Sequence, residues 1–126
     1  MRPSPAALSL AERAAKGAGV VTSLAGPALI LAPLRTGPPL GLGDDVRRIR
    51  AIGVSDVLIA AGLLAGAPRW PWMAARAAAN AAVAAHCRGE SQKRGATRES
   101  TYGAIGMTAL TLVDAAAAAT LRAGGR

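Results

Sequence analysis

"PRWPWMAARAAANAAVAAHCRGE", residues 68 to 90, decides the fold. As a helix it begins at a Trp-rich turn, runs through alanine and ends in basic residues, the outline of a membrane-spanning segment. Yet Arg76 stands where lipid should be. On insertion scales a central charge costs about 2.5 to 3.5 kcal/mol, while each Leu or Val returns only about 0.3 to 0.6. Alanine dominates this segment, so it inserts poorly alone. The short turn "GAPRW", residues 66 to 70, ties it to the apolar stretch before it, and the two are expected to insert together as a hairpin.

Composition points the same way. The chain has 126 residues, one domain's length, and is 52% hydrophobic with 15 Gly and no Phe. A soluble core of this size draws on bulky aromatic side chains to bury area. Helices packed in lipid instead favour the small residues that let backbones approach. An Ala-rich soluble helical protein is the alternative; span length and flanking aromatics favour the membrane. The single Cys87 excludes an intramolecular disulfide.

Four spans are expected, over about 17–34, 51–68, 70–87 and 102–121, in one all-α membrane domain covering residues 1–126. The fold class is an integral membrane four-helix bundle of up-down topology. The first stretch contains Pro27, a kink that Gly26 and Ser23 accommodate. It is preceded by a long segment with Glu12 and lacks a clear small-residue cleavage site, so it reads as a retained span rather than a signal peptide. "SLAE", Ser9 to Glu12, has capping-box spacing and predicts a helix already begun there. Asp44 or Asp45 caps the helix that starts near Val46, and residues 88–101 form a polar loop. Trp70, Trp72 and Tyr102 all fall at predicted membrane boundaries, where amphipathic rings prefer to sit.

The formal net charge of +8 resides mostly in short basic clusters between the apolar runs. No aromatic platform or recognisable module accompanies them, which argues against nucleic acid and for a bilayer with anionic headgroups. The first and third loops carry eight Lys/Arg against six on the opposite side, a weak bias that puts both termini outside. The expected location is the cell membrane, with the chain crossing it several times.

"VRRIRAIGVSDVLIAAGLLAG", residues 46–66, followed by "PRWPWMAARAAANAAVAA", residues 68–85, resembles small four-helix integral membrane proteins of actinobacteria whose function is unassigned. The resemblance rests on the spacing of Arg50, Gly53 and Asp56 and on the Trp-rich hairpin, and covers roughly residues 46 to 88. It implies a membrane fold and no activity.

Depth brings the displaced charges together. At 1.5 Å per residue, Arg76 lies about 12 Å in from Pro68, Asp114 about 10 Å in from Leu121 and Asp56 about 18 Å from Pro68. With Asn80 one turn from Arg76 and Thr111 on the face of Asp114, these five residues form an expected intramembrane polar network with Arg76 as its hub. Such networks act as packing glue or as proton relays and substrate contacts. Two function classes follow: a structural or accessory subunit that packs against a membrane-protein partner or a second copy, and a small transporter or proton-coupled carrier using the network. No enzyme is expected, since the one histidine lies far from the charged residues along the helix axis. His86 and Cys87 lack two further metal ligands, "GLG" at 41–43 lacks the context of a phosphate loop, and no cofactor is implied. "GLLAG", Gly62 to Gly66, has the spacing of a helix-dimer face.

Overall fold

The computed structural model describes residues 1–125; Arg126 and the side chain of Arg94, both counted above among the basic residues, lie outside the described residues. Among these, the chain is all-helical. Five α-helices run α1 (Pro5–Leu31), α2 (Pro33–Thr36), α3 (Val46–Ala65), α4 (Trp70–Arg94) and α5 (Arg98–Gly124), with a 3-10 turn at Pro38–Leu40.

Local chemistry sets the ends. Ser4 caps α1 by accepting from the Ala7 N–H at 3.2 Å, with Pro5 at the first helical position. The helix therefore begins four residues before Ser9, and "SLAE" lies inside it. It continues through Pro27 to Leu31, with the Ser23 hydroxyl donating to the Val20 carbonyl in the same helix. Of the two candidate caps for α3, Asp45 accepts from the Arg48 N–H at 3.2 Å. The polar loop expected over 88–101 shrinks to residues 95–97. "RGESQKR" holds no proline, and its one glycine, Gly89, stays helical, so α4 runs on until Gly95 turns to φ 80°. Thr97 and Ser100 then start α5 with a reciprocal capping box.

The long helices pack as antiparallel neighbours. α1 lies most extensively on α3 and α4 on α5, α1 also meets α5, and α3 and α4 touch much less. Glycine sets the α1–α3 spacing: a Cβ on Gly53 would stand 2.7 Å from the Gly26 carbonyl oxygen, and one on Gly26 2.9 Å from that of Gly53. Gly62 and Gly66 instead lie under the Trp72 indole of α4. This pair is used inside the chain, closing the α3–α4 hairpin, and is covered where a dimer face would need it bare. Two apolar clusters fill the interior, one around Ala15, Leu63, Met73 and Leu121, the other around Leu29, Leu42, Ile49, Val83 and Cys87.

The surface is arranged differently from that of a soluble helical protein. α1 and α5 are long and apolar enough to cross a membrane, yet only 28% and 17% of their apolar windows are buried. Leu24, Leu31, Leu58, Ile105 and Leu112 stand exposed. Along 17–34, 51–68, 70–87 and 100–121 the only charged residues are Asp56, Arg76 and Asp114. Arg76 and Asp114 are buried and Asp56 is half-buried, leaving a belt without exposed charge. α3 and α4 do not meet the same measure of length and apolarity: α3 opens with Arg47, Arg48 and Arg50, and α4 is alanine-rich and ends polar. Two helices, rather than the four expected, qualify as spans by their own composition.

The Gly26–Gly53 contact leaves no room for a side chain, whereas Gly106 has nothing within 4 Å of an added Cβ. Gly53→Leu should therefore lower the melting temperature of the purified protein by the equivalent of about 1 to 3 kcal/mol of overpacking. Gly106→Leu should not lower it, since the added side chain meets open space and Leu favours the helix more than Gly.

Candidate functional site

Each interior charge follows from its helical stripe. The buried residues of α1, Ala11, Ala15, Gly19, Thr22, Gly26 and Leu29, recur every three or four positions and define one inward face. On α4, Met73, Ala77, Val83 and Cys87 do the same, and Arg76 falls among them. On α5, Asp114 shares its face with Ala117, Ala118 and Leu121. Periodicity alone turns Arg76 and Asp114 inward.

There they meet. Arg76 Nη1 donates to Asp114 Oδ2 at 2.5 Å, and Asn80 Nδ2 donates to the same oxygen at 2.8 Å. Arg76 Nε donates to Thr22 Oγ1 at 3.0 Å. One side chain of α4 thereby joins α1 and α5. The ion pair is 8% and 2% exposed for the two residues, so water screens it little. No buried side-chain nitrogen or oxygen among the described residues lacks a hydrogen-bond partner, which is the condition for a buried polar group to be tolerated.

Of the five residues expected to form one network, Arg76 and Asn80 both bind Asp114. Asp56 stands apart, making no ion pair or hydrogen bond among the described residues, although the charge of Arg76 reaches it through space. A carboxylate on a short side chain cannot cross the loosely packed α3–α4 seam. Thr111 donates to the Met107 carbonyl of its own helix at 2.7 Å and takes no part. Thr22 is the member that sequence reasoning missed. Its signal was present: it is the one hydroxyl residue on the small-residue stripe of α1.

Beside the ion pair, a cavity of about 410 Å³ opens between the two helix pairs. Asp56, Ser55 and Asn80 line one part of it, and Leu29, Ile52, Val83 and Met107 form apolar wall. Arg48 and His86 lie at the other end. His86 Nε2 is 3.0 Å from the Leu42 carbonyl and Nδ1 is 3.2 Å from Arg48 Nη1. A carbonyl can only accept and a guanidinium can only donate, so the geometry fits the tautomer with its proton on Nε2. Cys87 is buried in the core beside this histidine. Among the described residues no group of three His, Cys, Asp or Glu could hold a metal ion.

No family model, curated protein or solved structure matches this chain. The geometry must carry the functional reading by itself.

Removing one partner of the pair should be costly and removing all of it cheap. Arg76→Ala leaves the Asp114 carboxylate buried without its cation, and should destabilise by about 3 to 5 kcal/mol or prevent accumulation. Replacing Arg76, Asn80 and Asp114 together by Met, Leu and Leu should restore most of the wild-type melting temperature. Wild-type abundance and stability in Arg76→Ala would show that the pair contributes nothing to the fold.

Proposed function

We propose that this chain is a small multi-pass protein of the cell membrane, an integral four-helix bundle with up-down topology, acting as a structural or accessory subunit. The carrying observation is the belt free of exposed charge. The helical parts of its four sides measure roughly 22 to 33 Å at 1.5 Å per residue, against a hydrocarbon core of roughly 30 Å. Basic residues and aromatic rings rim it: Arg122 stacks on Trp70 at 5.1 Å at one end and Arg98 on Tyr102 at 6.0 Å at the other. Both arrangements suit an interface with anionic headgroups. α3 and α4 enter in this reading as parts of hairpins, with Arg76 neutralised by its neighbours.

In the accessory reading the Arg76–Asp114 network is packing glue, supported by its complete hydrogen bonding. The exposed apolar belt then meets lipid, a membrane-protein partner or a second copy. This fits the resemblance of residues 46–88 to small actinobacterial membrane proteins. A small transporter or proton-coupled carrier is the second reading, favoured by Asp56 on the wall of an open cavity.

Carbonate washing should leave the protein in the membrane pellet and detergent should extract it. Release by high salt alone would show that charge rather than insertion holds it. Single cysteines at Ala96 and Gly125, in a Cys87→Ala background, should label from opposite sides of the membrane; labelling from one side removes the up-down topology. Stable co-purification with another membrane protein, or with a second tagged copy, in mild detergent is expected of an accessory subunit. Solute or proton flux from the pure protein in liposomes would favour the carrier.

A further inference from the structure

The cavity has a charge imbalance. Arg76 and Asp114 cancel each other in a hydrogen-bonded pair, so the acid–base set inside the belt keeps one formal negative charge, on Asp56. No described side chain donates a hydrogen bond to it, and it lines the cavity. An ionised carboxylate in apolar surroundings requires a counter-charge. Nearby acceptors could share that counter-charge: the Ser55 hydroxyl and the Asn80 carbonyl oxygen, whose amide nitrogen is already engaged by Asp114. The walls leading away from this end are Leu29, Ile52, Val83 and Met107. The far end holds the Arg48 guanidinium, about 12 Å along α3 from Asp56, which repels a second positive charge.

We propose that this cavity is a binding site for an amphiphilic monoamine, with its ammonium group on Asp56 and its hydrocarbon body along Ile52, Val83 and Met107. The volume of about 410 Å³ falls within the range of small-molecule sites, roughly 300 to 1,000 Å³. Calcium or magnesium does not fit, because each needs about six or more oxygen ligands and these walls are mostly hydrocarbon, and no group of three His, Cys, Asp or Glu among the described residues could hold another metal. Polyamines do not fit either, since their second charge would approach Arg48. Entry is lateral. Ala51 of α3 and Ala82 of α4 are both exposed and both line the cavity, so its opening lies on the belt between the two helices that touch least. The site goes beyond the accessory reading and does not depend on it, because a bound amine requires neither a partner subunit nor transport.

The test is equilibrium binding of radiolabelled octylamine to the purified full chain in detergent at neutral pH. Saturable binding at one per chain is expected, displaced by other alkylamines and not by octanol or spermidine. Asp56→Asn should weaken it by about thirtyfold or more, the scale of losing one member of a buried charge pair, without lowering the melting temperature. Ala79→Phe, which places a ring in the cavity and keeps Asp56, should abolish it. If Asp56→Asn fails to accumulate, the Ala79→Phe variant decides. Absence of saturable binding to the wild type, equal displacement by octanol, or unchanged affinity in either folded variant overturns the proposal.

Discussion

The ion pair between Arg76 and Asp114 is the constraint around which the other helices are arranged. It joins α4 to α5, and through the Thr22 hydroxyl it fixes α1 at the same level. A guanidinium held away from water needs several acceptors in fixed directions, so the three helices can adopt few relative registers without leaving a charge unmatched. Apolar packing between alanine faces would specify far less, because methyl groups slide past one another at little cost. The pair's contribution lies in register more than in net stability, in keeping with the near-cancellation of desolvation and attraction for buried ions.

Around that anchor the interior is built from small side chains. Without Phe, the chain has few rings to fill space, one of them Trp72 over Gly62, and it brings backbones close elsewhere: Gly26 against Gly53, and Gly19 against Leu63 and Leu64. Bulk is moved outward, to Leu24, Leu58 and Leu112 on the exposed belt. Apolar side chains therefore lie on both sides of the helices, inward in the two clusters and outward on the belt. This distribution leaves one region underfilled, the seam between α3 and α4, and the cavity lies there.

Helix content and the inward turn of Arg76 and Asp114 were legible from periodicity, because a 3.6-residue repeat fixes which side chains share a face. Helix ends were less so. The capping box at Ser9 to Glu12 has the right spacing but lost to Ser4 and Pro5, and seven residues assigned to a loop continue α4 because they hold no proline and Gly89 keeps helical φ. Placing Asp56 failed for another reason. Axial depth can be counted along a helix, but the lateral gap between two helices depends on packing elsewhere, here the tight α1–α3 and α4–α5 contacts that hold α3 away from α4. Thr22 left a local mark, a lone hydroxyl on the small-residue stripe of α1, but nothing local says which helix carries its partner.

Chain order gives the two helix pairs a temporal meaning. Each pair is contiguous in sequence, α1 with α3 and α4 with α5, so during synthesis the first can dock through Gly26 and Gly53 before the second emerges. Arg76 leaves the ribosome 38 residues ahead of Asp114. In that interval Thr22 is already in place, and the sole carboxylate yet made within the belt is that of Asp56. The acid that stands apart in the finished protein is thus the first negative charge the nascent arginine can encounter within the belt.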